Sequence, residues 1–177
     1  MSERYKTYRG GLFFVTLTVV GWIDVFTRAE YAELFLESLR FCIRRKGLRV
    51  YAFCIMPSHV HLIADLAADD QPLAGVLRDL KAHTAKRLYE LIETHPQESR
   101  REWLGHLLRF YGRPHGQAFK FWQEGSHAID LLSPAWVREK LDYVHRNPVV
   151  ARLVDEPHHY PFSSAFPDCG VPLAELL

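Results

Sequence analysis

Cysteine is scarce in this chain of 177 residues. The three present, Cys42, Cys54 and Cys169, are odd in number and lack zinc-site or redox spacing. A disulfide framework is therefore excluded, and reduced intracellular thiols are expected. Long hydrophobic runs are missing too. The longest, residues 12–20, is half a membrane span and is interrupted by two threonines, so no membrane partner is expected. No charged-then-apolar leader opens the chain, which points to the cytoplasm. Nor is there an excess of charge of one sign. A formal net charge of +1 argues neither for nor against nucleic acid, because binding depends on local clustering. Repeats and low-complexity segments are absent. What is there, 48% hydrophobic and 24% charged residues, is ordinary for a globular protein, and the length suits one domain over 1–177.

The chain is organised around residues 50–66. Two apolar runs rich in β-formers are broken by Met56-Pro57-Ser58, which predicts two strands joined by a tight turn. The second strand opens with His59-Val60-His61. Successive strand side chains point to opposite faces, so His59 and His61 share one face, with Cα atoms roughly 6.5–7 Å apart. Both imidazoles are then close enough to reach one divalent ion. The plainer alternative is two polar residues on the wet face of a half-buried strand.

Residues 12–20 read as a buried strand, and 29–46 as a helix ended by Gly47. Residues 71–95 carry a helical apolar stripe, with Arg78, Lys81, Lys86 and Arg87 off it. These four are an ordinary solvated face or, beside a site, phosphate contacts. Residues 95–118 read as a basic, partly helical insertion that includes Arg109 and Arg113, the natural candidate for a flexible substrate-facing loop. Short strands are expected at 119–123 and 127–132. Ser133 and Pro134 suit the cap and first position of a last helix, which Pro148 should end at Asn147. An extended tail follows from about 149. At the other end, Arg4, Lys6 and Arg9 among Tyr5 and Tyr8 are a frayed start or a basic-aromatic arm. The order of elements predicts an α+β fold, a ferredoxin-like antiparallel sheet with helices packed on it.

Tyr143 and Asn147 lie four residues apart on the last helix, hence on one face, roughly 100° from the Val137/Leu141/Val144 core stripe. If that helix crosses the sheet at the His pair, the Asn147 amide oxygen becomes a third ligand and the Tyr143 hydroxyl a nucleophile at the same ion. Two imidazoles, one amide oxygen and open positions suit Mg²⁺ or Mn²⁺ better than closed zinc. Taken alone, Tyr143 reads more readily as a tyrosine flanking a core with its hydroxyl in water.

Three stretches resemble the single-tyrosine, His-hydrophobic-His transposases, and most closely their REP-associated tyrosine transposase branch. They are Met56-Pro57-Ser58-His59-Val60-His61-Leu62, Phe121-Trp122-Gln123, and 141–154 around Tyr143-Val144-His145-Arg146-Asn147-Pro148, followed by Tyr160-Pro161-Phe162-Ser163-Ser164. The likeness runs from about residue 10 to 164. The resemblance implies His59 and His61 as metal ligands, Tyr143 as the DNA nucleophile and Asn147 as third ligand. Insertion-sequence members usually carry glutamine at that last position, and the REP-associated branch asparagine. The insertion at 95–118 is longer than the family pattern.

The implied activity is metal-dependent cleavage and rejoining of single-stranded DNA at hairpin-forming, REP-like repeats through a 5′-phosphotyrosine, by a monomer or homodimer. DNA contacts are expected from Lys81, Lys86, Arg87, Arg109 and Arg113. His127 is a candidate outer donor or a structural residue, and His145 a candidate proton acceptor. Tyr160 is a packing residue, His158-His159 are solvated, and Trp122, Phe121 and Tyr111 either stack bases or pack in the core. The rival readings are a metal phosphodiesterase that uses water, which needs a general base nearer than Asp65, and an inactive hairpin-binding module.

Overall fold

The computed structural model describes residues 7–67 and 72–176; Arg4, Tyr5 and Lys6 of the basic-aromatic start lie outside them. Strand β1 (Phe13–Thr18) alternates its side chains between two cores. Helix α1 (Ala29–Lys46) ends at Gly47, which is left-handed at φ 67° and sends its N–H back to the Cys42 carbonyl. A β-carbon disfavours that conformation, so glycine is the natural stop. Strands β2 (Leu48–Ile55) and β3 (His59–Leu66) form the expected hairpin, with Met56 N–H bonded to the His59 carbonyl at 2.8 Å. Helix α2 (Leu73–Thr94) follows, and β4 (Ile129–Asp130) completes an antiparallel sheet in the order β2-β3-β1-β4. That is the ferredoxin-like arrangement the sequence predicts.

Each sheet face has its own core. Val15, Leu17, Phe53 and Leu62 meet α1 and α2 on one side. Phe14, Cys54, Ile63 and Leu131 lie on the other, with Val144 of helix α4 (Pro134–Val150). Val137 and Leu141 pack against this second core, so the predicted stripe seats α4 on the sheet. The Ser133 side chain caps α4 by accepting the Trp136 N–H, as its position before Pro134 suggests.

Four expectations need correction. Residues 119–123 are not a strand: only Trp122 pairs, in one bridge to Val19. Phe121 and Trp122 are instead buried, at 1% and 5% exposure, and the indole N–H donates to Thr84 Oγ1 at 3.1 Å. Burial of the aromatics, rather than a ladder, shapes this stretch. The strand expected at 127–132 shrinks to the two residues of β4. Helix α4 does not stop at Asn147 but runs through Pro148 to Val150. So close to the C-terminus the proline forfeits a single helical bond. The end is set by Arg152, left-handed at φ 58°, with Arg152 N–H to Val149 O and Leu153 N–H to Pro148 O, the paired bonds of a Schellman stop.

Finally, the insertion is not a flexible loop. Helix α3 (Arg101–Gly112) buries Leu104 and Leu108 and packs on α2. Its approach is anchored by Glu98, whose fully buried carboxylate accepts from Arg28 and Arg100 at 3.1 Å each and from the Tyr31 hydroxyl at 2.8 Å. Burial works to raise the Glu98 carboxyl, but the Arg100 side-chain and backbone hydrogen bonds and then Tyr31 outweigh it and hold the pKa at about 2.

The tail covers the exposed edge of β2. Ile55 N–H reaches Phe162 O at 2.8 Å, and Ser164 N–H reaches Phe53 O at 2.9 Å, which satisfies groups an open edge would leave bare. Tyr160 is buried, and its hydroxyl donates to Ile55 O at 2.8 Å. It is the packing residue the sequence suggested.

Candidate active site

Position decides chemistry on β3. His59 and His61 alternate with Val60, which faces the α1–α2 core, so both imidazoles emerge on the α4 face. Their ring centroids are 4.7 Å apart. Across the sheet β1 places Thr18 opposite His59 and Thr16 opposite His61. The Thr16 hydroxyl lies 3.0 Å from His61 Nδ1, and the Ser58 hydroxyl 3.1 Å from His59 Nδ1. With each Nδ1–H donating to its hydroxyl, both Nε2 atoms keep their lone pairs for a ligand.

Electrostatics favour the same state. Burial, helped by the neighbouring His59, lowers His61 to a pKa of about 3. Burial also lowers His59, against an opposing pull from Asp24. Both shifts favour the neutral ring, the form that metal ligation requires. His61 Nε2 is buried with no hydrogen-bond partner, an arrangement that native structures rarely leave without a reason.

Helix α4 brings the remaining residues. Its stripe sits on the sheet, so Tyr143 and Asn147 fall at the edge of the buried face. With His59, His61, Trp22 and Arg146 they line one cleft of about 600 Å³. Tyr143 is 47% exposed, so its hydroxyl is open to a substrate. Its ring stands edge-on to Phe14 at 5.7 Å, and Lys140 Nζ lies 5.6 Å from its centroid. Asn147 is half-buried in the wall. The sequence thus foresaw His59, His61, Tyr143 and Asn147 in one place, and the fold puts them there.

The other named residues lie elsewhere. The α1–α2 layer is on the opposite sheet face, so Lys81, Lys86 and Arg87 of α2 do not join this cleft. Lys81 donates to the carbonyls of Gln123, at 2.7 Å, and Gly125, and burial lowers its pKa to about 8. Lys86 and Arg87 are exposed, Lys86 at 4.0 Å from Glu90. Arg109 donates to the Tyr89 hydroxyl at 2.9 Å and Glu93 at 3.3 Å, and Arg113 is exposed at the end of α3. His127 is exposed in the turn before β4, away from the cleft lining. His145 bonds Ser164 Oγ at 2.9 Å, which ties α4 to the tail and turns the imidazole away from Tyr143.

Sequence reasoning missed Thr16, Trp22, Lys140 and Arg146. Two of these carried a readable signal. Thr16 and Thr18 are the polar residues of an otherwise apolar strand, both on one face. Lys140 stands three residues before Tyr143, hence beside it on the helix.

No family model matches the chain. A protein of Haemophilus influenzae provisionally named REP-associated tyrosine transposase is 25% identical over 160 residues, 88% of this chain and 80% of that one. A solved structure of a REP-associated tyrosine transposase bound to a REP hairpin aligns over 99% of this chain and 89% of that one, with a TM-score of 0.65 and 20% identity. A provisionally described transposase from Deinococcus radiodurans aligns over 81% of this chain and 95% of that one at a TM-score of 0.45 and 19% identity, too loosely to add to the comparison. The resemblance read from the motifs is thus borne out: over most of its length the chain is similar to a protein named as a REP-associated tyrosine transposase, and it shares the fold of another.

Proposed function

We propose that the protein is a metal-dependent tyrosine transposase that cleaves and rejoins single-stranded DNA at hairpin-forming repeats, with Tyr143 as nucleophile. The observation that carries this reading is the shared cleft of the half-exposed Tyr143 and the buried, unpartnered His61 Nε2. Two neutral imidazoles and the Asn147 amide oxygen fit a hard divalent ion with open positions, Mg²⁺ or Mn²⁺. Among the described residues no group of three His, Cys, Asp or Glu gathers as a closed zinc site would need.

His59, His61 and Asn147 would hold such an ion, whose chemistry there would be to polarise the phosphodiester and orient it for in-line attack. The Tyr143 oxygen forms the new bond to phosphorus, the bond to the 3′ oxygen breaks, and the strand leaves as a 3′-OH. The phenol proton passes to the solvent that reaches the half-exposed side chain. The 5′-phosphotyrosine conserves the phosphoester, so a 3′-OH attacking it reverses the step and joins strands without a nucleotide cofactor. Hairpin DNA is the proposed partner, in line with the hairpin bound to the related structure. The reaction needs one complete site, and every residue named for it comes from one chain.

A water-using phosphodiesterase has one observation in its favour: Glu139 and Asp142 also line the cleft and are the carboxylates available as a general base. Asp65 is not, since Arg49 holds it at 2.6 and 2.7 Å and Tyr51 at 3.0 Å. The test is a covalent adduct on a hairpin oligonucleotide with Mn²⁺, lost in Tyr143→Phe. Cutting without an adduct favours the water reading.

A further inference from the structure

Resting on the reading of the cleft as a single-strand DNA site, we propose that Trp22 is a stacking platform for an unpaired base beside the phosphate bound at His59 and His61, and that α3 exists to hold it there. Trp22 is 58% exposed and lines the cleft with His59, Tyr143 and Arg146. Its ring stands edge-to-face with His59, centroids 5.3 Å apart and planes at 71°. A large aromatic side chain turned into water at the mouth of a site is available to a ligand rather than to the core. Stacking accepts any base, because every base has a π-face, so the ligand class is a nucleotide of a single strand whose phosphate reaches the His pair.

The backbone supports a built role. Trp22 is left-handed at φ 55°, directly after Gly21 at φ 61°. A bulky residue takes that conformation only when its surroundings impose it, and such residues gather at functional sites. Here the surroundings do impose it. Val19 N–H bonds Ser58 O and Val20 N–H bonds Phe121 O, each at 2.9 Å. Arg100 reaches over from the start of α3 to Asp24 O at 2.8 Å and Thr27 Oγ1 at 2.9 Å.

Tyr111 of α3 fills the space beside Gly21 so closely that a β-carbon at position 21 would run into its ring. The turn that presents Trp22 is thus clamped by the segment whose purpose the sequence left open. Stiffness is what a stacking platform needs, since less ordering remains to be done when the strand binds.

The test is binding of two probes in Mn²⁺, neither with a hairpin: fluorescein-labelled dT12, and an abasic strand with the same number of phosphates. Wild type is expected to prefer dT12. Trp22→Ala is expected to weaken dT12 by roughly five- to a hundredfold while leaving the abasic strand unchanged, and Trp22→Phe to retain most of the preference. Tyr111→Ala, which lies behind the turn, should show a smaller loss of the same selective kind; unchanged dT12 affinity there removes α3 from the proposal. Calorimetry with Mn²⁺ should give equal affinities for wild type and Trp22→Ala.

Equal losses on both strands, or loss of Mn²⁺ binding with Trp22→Ala, would mark the residue as a prop for His59 and overturn the proposal, as would a dT12 affinity within twofold of wild type. No cleavage is involved, so the two readings fail separately. A Tyr143 adduct without Trp22 selectivity sinks this inference alone, and Trp22 selectivity without an adduct sinks the transposase chemistry alone.

Discussion

Tyr143 stands edge-on to His61, with ring centroids 5.2 Å apart and planes at 69°. One ring comes from the last helix and the other from a central strand. They meet because Val144, the neighbour of Tyr143, is wholly buried against the sheet and fixes the rotation of α4. Tyr143 thereby shares the cleft with His61, whose Nε2 has no partner.

Removing either imidazole is expected to abolish metal-dependent chemistry. His59→Ala and His61→Ala should lose Mn²⁺ binding in calorimetry and cleavage in Mg²⁺ or Mn²⁺. Hairpin affinity should stay mostly intact, because phosphate contacts supply most of it. Full cleavage by wild type in excess chelator would remove the metal from the account.

Position 147 distinguishes a ligand from a bystander. Asn147→Ala should weaken Mn²⁺ binding and activity together, and Asn147→Gln should restore part of both by offering the same amide oxygen on a longer arm. Equal Mn²⁺ affinity in wild type and Asn147→Ala would take the residue out of the site.

The basic residues test which face carries the DNA. Arg146 lines the cleft, whereas Lys86 and Arg87 belong to the helix layer behind the sheet. If the strand's phosphates run through the cleft, Arg146→Ala lowers the slope of log affinity against log salt by about one. Lys86→Ala, Arg87→Ala and Arg113→Ala measure the other layer in the same titration. A change of slope in these three and none in Arg146→Ala would move the DNA to the far side.

Glu98 gives a stability prediction with a defined pH window. Glu98→Gln keeps the shape but removes the charge facing Arg28 and Arg100, at a cost of about 2–4 kcal/mol. Its carboxyl is lowered in the fold from 4.5 to about 2. The contribution is therefore fully present above pH 4.5 and is lost as pH falls from there towards 2. Thermal melts should show the largest gap between wild type and variant near pH 7, closing steadily below pH 4.5. A gap that stays constant down to pH 3 would contradict this role.

Much of this was legible because it rests on short-range periodicity. A period of two put His59 and His61 on one face, and a period near 3.6 put Tyr143 and Asn147 on another. Residues 29–46 ended at Gly47 as expected because a left-handed stop is a local property. What sequence could not give depended on distant partners. Phe121 and Trp122 look like strand residues, and only the position of Thr84 and the α1–α2 core shows them turned inward. Arg109 looks like a DNA contact until Glu93 and Tyr89 stand beside it. Trp22 carried no local signal at all, since its strain is imposed by Ser58, Phe121 and α3.

The central claim is that Tyr143 attacks DNA, and its most direct measurement is mass mapping of protein incubated with a single-stranded hairpin oligonucleotide and Mn²⁺. A covalent adduct is expected at Tyr143, carrying the fragment downstream of the cut through its 5′ phosphate while the upstream fragment is released with a free 3′-OH. It should be absent in Tyr143→Phe, which keeps the ring and its contacts with Phe14 and His61, and present in Tyr160→Phe. Cleavage without an adduct, or cleavage that survives in Tyr143→Phe, would contradict it.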